Sequence, residues 1–225
     1  MSPDFKRFLK VFSTGDPEKV LTDLLIHATA KPLKRGARAG WVLALDLSYP
    51  AYRNIVAEAE GSSESIDQFF IEYYMHDFEG RIERHLNNSK GALPHHLQNL
   101  IEEAVWAFKS GRNHICIPAL FSALEGVLVD LSNKGDRRNI RYREGVEEAI
   151  QNDRLTTPVM ALISISWFLD FAFSKSDFEQ SGFDELNRHW SQHGRYLDAV
   201  SEKPVLQLFS ALTLALFMHR HNSEV

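Results

Sequence analysis

The sequence lacks the features of secreted and membrane-spanning proteins. Cys116 is the single cysteine, which excludes an internal disulfide and is typical of proteins of the reducing cytoplasm. The most apolar stretch, residues 205–218, is shorter than the roughly eighteen residues that a membrane span requires, and polar side chains interrupt it. Charged residues among the first twelve argue against a signal peptide. We therefore expect a cytoplasmic protein without membrane association.

An excess of positive charge is also lacking, because 25 lysines and arginines stand against 30 aspartates and glutamates and the formal net charge is −5 at pH 7. This balance argues against a protein that coats DNA, although local patches can still attract phosphate. Residues 31–38 and residues 134–143 are rich in cations and contain almost no acid. A solvated loop or helix end is the commoner interpretation of such runs, and contact with a nucleic-acid backbone is the alternative. The cations are Lys31, Lys34, Arg35 and Arg38 in the first run and Lys134, Arg137, Arg138, Arg141 and Arg143 in the second.

Strand alternation, internal repeats and low-complexity tracts do not stand out, and apolar residues recur at helical spacing along nearly the whole chain. The sequence therefore predicts an all-α protein. The segment from Val205 to Met218 is apolar on nearly every side, which indicates a helix at the centre of a bundle. Helices are expected to begin at or near prolines, which the first helical turn tolerates, namely Pro17, Pro94, Pro158 and Pro204.

Interruptions of the apolar pattern predict where several helices end. The first helix is expected to fade at Lys31-Pro32. Residues 41–47 form a short apolar run that is either helix or strand, and Pro50 is expected to end it. One long helix is expected over residues 66–86, and Gly111 is expected to close the helix that follows.

A change in composition near residue 62 predicts the domain organisation. Residues 61–63 read Gly-Ser-Ser, which is typical of a linker. We predict an N-terminal helical extension over residues 1–62 and a helical bundle over residues 63–225.

A short run late in the chain concentrates residues that handle phosphate. Arg188, His189 and His193 lie close together, and Gly194 follows them. Arginine supplies a permanent cation, and histidine moves protons near neutral pH. On an ideal helix His189 and His193 share a face, whereas Arg188 and His193 lie about 140° apart. Because Gly194 is a natural helix end, Arg188 and His193 can converge only if the turn unwinds locally or if two chains meet.

The run reads Arg188-His189-Trp190-Ser191-Gln192-His193, with Asn187 before it. Two upstream segments, Pro118-Ala119-Leu120-Phe121 and Leu124-Glu125-Gly126, accompany it. Together they resemble the HEPN superfamily (higher eukaryotes and prokaryotes nucleotide-binding), and uncharacterised bacterial members in particular. The resemblance covers roughly residues 94–220. It implies a bundle of four to five helices with the motif beside a late helix.

The resemblance implies a metal-independent endoribonuclease that acts as a homodimer and uses no cofactor. His193 would be the general base or acid when the RNA 2′-hydroxyl attacks the adjacent phosphate, and Arg188 would stabilise the phosphoryl charge. His189 would orient the substrate or a partner residue, Asn187 would bind phosphate or brace the loop, and Glu125 would pair with Arg188. Such nucleases resemble toxins or anti-phage effectors, which implies an antitoxin or regulatory protein as a further partner.

The same side chains have plainer interpretations, which stay open at this point. Arg188 can form an ordinary surface ion pair with Asp184, and His193 can simply end a helix. Glu125 can be structural. Trp190 can belong to the core or to a dimer interface instead of stacking on a base.

Two other functional classes fit the sequence as well. His189 and His193 have the spacing of a zinc-binding helix, with Asp184 or Glu185 as further ligands, although no glutamate follows His189. The other class is a non-catalytic all-α dimer that binds nucleotide, RNA or a partner protein.

Overall fold

A computed structural model describes residues 17–58, 62–132, 157–174, 186–194 and 200–223 of the chain. These residues are helical almost throughout and contain no strand, so the fold class is all-α, as predicted. A π-helical turn (Glu79–Glu83) and a 3-10 turn (Lys90–Ala92) flank the fourth helix. The helices are α1 (Pro17–Arg38), α2 (Tyr49–Glu58), α3 (Ser63–His76), α4 (Arg84–Ser89), α5 (His95–Lys109), α6 (Asn113–Ser132), α7 (Thr157–Ala172), α8 (Arg188–Gln192) and α9 (Glu202–Ser223).

Helix α9 lies at the centre of the fold, as its sequence predicts. Every residue from Pro204 to Leu216 is buried. The helix packs against α6 and α7, while α5 packs against α6 and α1 against α7. Removal of apolar surface from water, at about 25 cal/mol per Å², is the main force that holds these helices together. Among the residues that the structure describes, no helix is long and apolar enough to cross a membrane.

The described part of the first sixty residues shares its core with the rest of the protein. Leu33, Ala37 and Trp41 are fully buried and belong to the same apolar cluster as α9. The indole Nε1 of Trp41 donates to Asp67 on α3 at 2.7 Å. The division into two domains at residue 62 stays a prediction. The structure places residues from both sides of that division in one core.

Three predictions about the N-terminal segment are wrong. Helix α1 does not fade at Lys31-Pro32 but continues through Pro32 to Arg38. Proline removes one helical hydrogen bond, and burial of the residues that follow it offsets the loss. Residues 41–44 are neither helix nor strand, and the backbone N–H of Leu43 donates to the Ser164 hydroxyl of α7 at 2.8 Å. Pro50 does not end this run but lies in the first turn of α2.

The predicted long helix over residues 66–86 is also wrong, because it is interrupted. Helix α3 ends at His76, and Asp77 leaves the helical conformation with φ −149° and ψ 65°. The Asp77 carboxylate then accepts from the backbone N–H of Gly80 at 2.9 Å and starts the π-helical turn. The apolar pattern continues on the same side through Ile82 and Leu86, so it gives no sign of this break.

The predicted helix starts at or near prolines, and the helix end at Gly111, are confirmed. Helix α1 begins at Pro17, Pro94 precedes α5, and Pro158 and Pro204 lie in the first turns of α7 and α9. Gly111 follows α5 with φ +68°, a conformation that favours glycine. The basic run at residues 134–143 lies outside the described residues.

Candidate functional site

The predicted motif begins where Asn187 starts the short helix α8. Asn187 has an extended backbone (φ −142°), and its side-chain oxygen accepts from the N–H groups of His189 and Trp190 at 2.9 and 3.2 Å. Its side-chain amide donates to the carbonyl and the hydroxyl of Ser174 at 3.1 and 3.3 Å. Asn187 is 6% exposed. It therefore caps α8 and ties the motif to the segment that follows α7.

Arg188 and Glu125 form a bidentate ion pair between α8 and α6. The Arg188 Nε donates to Glu125 Oε1, and its Nη2 donates to Oε2 at 3.1 Å. The side chains are 35% and 28% exposed, so the pair is partly accessible to solvent. The guanidinium also lies 5.6 Å from the ring centroid of Phe173. Two charge-assisted hydrogen bonds and an aromatic neighbour fix the orientation of Arg188.

The pairing of Glu125 with Arg188 agrees with one of the predicted roles of Glu125. A carboxylate within an apolar helix needs a charged or hydrogen-bonding partner, and Arg188 supplies it. Asp184, the alternative partner, lies outside the described residues.

His189 and His193 lie side by side, as their spacing of four residues predicts. Their ring centroids are 4.7 Å apart, with an angle of 70° between the ring planes. His189 is partly exposed and His193 is exposed. His193 ends α8, and Gly194 follows with φ +64°, so the predicted helix end is confirmed. His193 thus presents its imidazole to solvent at the carboxyl end of α8, beside the partly exposed ring of His189.

The opposite side of α8 is buried. Trp190 and Ser191 are 8% and 9% exposed, so the single chain already buries Trp190, which favours its structural interpretation over base stacking. The Ser191 hydroxyl is buried without a hydrogen-bond partner among the described residues. Sequence reasoning did not single out Ser191, nor the two residues that hold the motif, Phe173 and Ser174. Phe173 continues the apolar run of α7, and this was the only signal for it.

The described residues contain no group of three or more metal-binding side chains. Asp184 and Glu185, which the zinc hypothesis requires, lie outside the residues that the structure describes. What the structure brings together is an arginine held by a carboxylate and two adjacent imidazoles. This set can bind an anion and transfer protons.

Comparison of the chain with protein-family models, with curated proteins and with solved structures finds no match.

Proposed function

We propose that the protein is a metal-independent endoribonuclease of the HEPN type, in which Arg188 and His193 act on RNA at a homodimer interface. The observation that carries the proposal is the arrangement of α8. The helix begins with an arginine that Glu125 orients, and the imidazoles of the partly exposed His189 and the exposed His193 lie against each other one turn apart. A phosphate-binding cation close to proton-transfer groups is what cleavage of a phosphodiester requires.

Arg188 is suited to stabilise a phosphoryl group in the transition state. Its guanidinium has five N–H donors, and Glu125 receives two of them. The other three serve the phosphoryl oxygens in this proposal. Since Glu125 already holds the guanidinium plane, binding of substrate requires little further ordering of the side chain.

His193 supplies the proton transfer. As general base it takes the proton of the RNA 2′-hydroxyl, whose oxygen attacks the adjacent phosphorus. The bond from phosphorus to the 5′-oxygen breaks, and that oxygen takes a proton from the His193 imidazolium that the first proton transfer formed. The products are a 2′,3′-cyclic phosphate and a 5′-hydroxyl. His189, at 4.7 Å from His193 between ring centroids, orients His193 or the substrate.

A second copy of the chain completes the site in this proposal. Arg188 and His193 face different directions around α8, so one copy supplies the arginine and the other the histidine. Helix α6, which carries Glu125, forms the contact between copies in this proposal. Ile115 on α6 is 56% exposed, and Pro118, Ser122 and Glu125 lie on the same side of the helix at intervals of three and four residues. A second copy of α6 would cover this side of the helix beside the ion pair.

A non-catalytic dimer is the second candidate, and one observation favours it. The Glu125 carboxylate neutralises the charge of Arg188, which weakens attraction for a phosphate. In that case the motif binds nucleotide, RNA or a partner protein without chemistry, and Arg188 mainly fixes α8 to α6.

The discriminating experiment measures cleavage of RNA in EDTA by the wild type, His193→Ala and Arg188→Ala. His96→Ala and Arg112→Ala are matched controls, because they remove an exposed histidine from α5 and an exposed arginine from the turn between α5 and α6. We expect cleavage by the wild type and both controls, and loss of at least about a hundredfold in the two motif variants. Intact RNA with every protein would favour the non-catalytic dimer.

Mixing the two inactive variants tests the shared site. Dimers that combine Arg188→Ala with His193→Ala contain one intact site if Arg188 and His193 come from different copies. Random mixing would then restore about a quarter of the wild-type activity. No recovery would instead favour a site within one chain.

A nuclease of this kind would act as a toxin or an anti-phage effector under the control of an antitoxin or regulatory protein.

A further inference from the structure

Two cations of α1 lie over the indole of Trp167, on α7. The Lys34 Nζ is 3.8 Å from the ring centroid, and the guanidinium carbon of Arg38 is 5.7 Å from it. Such cation–π contacts restrict long side chains that would otherwise be flexible. Trp167 is partly exposed, so the cluster lies at the protein surface.

The same part of α1 carries two further cations. Lys31 and Arg35 alternate with Lys34 and Arg38 at intervals of three and four residues, so all four lie on one side of the helix. Lys31 and Arg38 are exposed, and residues 31–38 contain no acid. At 1.5 Å per residue the run is about 10 Å long. This length allows the run to contact more than one consecutive phosphate of a nucleic-acid strand.

We propose that this surface, the α1 basic face (Lys31, Lys34, Arg35 and Arg38 with Trp167), binds the phosphate backbone of single-stranded RNA. The proposal rests on the proposed function, because it names a second contact for the same substrate class. A chain with net charge −5 repels a polyanion on average, so a dense patch of cations is needed to bring RNA to the motif.

RNA fits this face better than a lipid surface does. Proteins that lie on membranes insert exposed apolar side chains beside their cations. Here the large aromatic residue of the face is only partly exposed, and Lys34 covers one side of its ring. Trp167 therefore holds cations in position for phosphate.

The test measures binding of a short fluorescent single-stranded RNA by anisotropy over a range of salt concentrations. Every protein carries His193→Ala, so that cleavage does not interfere. Each phosphate contact contributes about 0.7 to the slope of log affinity against log salt for a single strand. We therefore expect Lys34→Ala/Arg38→Ala to lower the slope by about 1.4 and to weaken binding roughly tenfold at 0.15 M salt.

Three further variants identify the cause. Arg112→Ala removes an arginine that lies over another tryptophan, Trp106, at 5.1 Å, and it should leave affinity and slope unchanged. Lys34→Arg keeps the charge and should keep the slope. Trp167→Leu should weaken binding a few-fold with the slope retained, because it removes the support for the cations but no cation.

If the double variant binds the RNA with an affinity within about twofold of the parent, the proposal that the α1 basic face binds RNA is overturned. Binding to vesicles of anionic lipid that exceeds binding to RNA at the same salt concentration would overturn it as well. These outcomes are separate from failure of the proposed function. RNA that binds through this face but stays intact with the wild-type protein would overturn the nuclease and leave the face supported.

Discussion

Arg188 on α8 and Glu125 on α6 are 63 residues apart in the sequence and form a two-point ion pair. The pair joins a five-residue helix, too short to be stable alone, to one of the longest helices of the fold. The same contact orients the arginine that we propose as a phosphate ligand. We therefore expect stability and the proposed activity to be linked through this pair.

The first prediction concerns this pair. In a double-mutant cycle with Glu125→Gln and Arg188→Gln, we expect a coupling of about 1 kcal/mol in the free energy of unfolding, because both side chains are partly exposed. We also expect Glu125→Gln to lower kcat of RNA cleavage more than it changes KM, since it releases the orientation of Arg188. Coupling near zero with unchanged kcat would mean that the pair neither stabilises α8 nor positions Arg188.

The second prediction concerns the cap of α8. Asn187→Ala should lower the free energy of unfolding by about 2 kcal/mol, because it removes the cap of α8 and the bonds to Ser174. Asn187→Asp keeps the accepting oxygen and should lose about half as much. Ser62→Ala removes the exposed cap of α3 and serves as the control, with a smaller loss and unchanged cleavage. Denaturant unfolding measures each variant. Equal stability of Asn187→Ala and wild type would show that the cap is dispensable.

The third prediction compares two glycines with the same conformation. Gly194 and Gly111 have φ +64° and +68°, and no atom would lie within 4 Å of a Cβ added at either position. Substitution by alanine should therefore lower the free energy of unfolding by roughly 1 kcal/mol at each position, because of backbone strain alone. Only Gly194→Ala should also reduce cleavage, because it disturbs the end of α8 that carries His193. Equal activity of the two variants would argue against a role for this helix end.

The fourth prediction concerns Cys116, which is fully buried on α6 and donates its thiol proton to the carbonyl of Ala104 at 3.3 Å. Burial raises the pKa of the Cys116 thiol to about 11, so at pH 8 only about one thiol in a thousand is ionised. A thiol reagent should react with the folded protein far more slowly than with the protein in denaturant. Rapid stoichiometric labelling of the folded protein would contradict the burial of Cys116 on α6.

Local sequence signals predicted the helix starts at or near four prolines and the helix ends at Gly111 and Gly194, because the reason for each lies in its own backbone. They failed at Pro32, which the helix α1 accommodates. The pairing of Glu125 with Arg188 was also within reach, since a carboxylate in an apolar helix must find a partner. The break after His76 could not be predicted from the sequence, because the apolar residues before and after it continue at helical spacing. The hydrogen bond between Asn187 and Ser174 could not be predicted either, since it depends on the position of the end of α7 in the folded protein.

The most direct measurement is cleavage of an RNA oligonucleotide in EDTA, beside the same oligonucleotide with a 2′-deoxy sugar at the cleaved position. We expect the wild type to cut only the RNA and to leave a 2′,3′-cyclic phosphate, and His193→Ala to cut neither oligonucleotide. Cleavage of the deoxy substrate, or cleavage that needs a divalent metal, would contradict the proposed mechanism. So would full activity in His193→Ala.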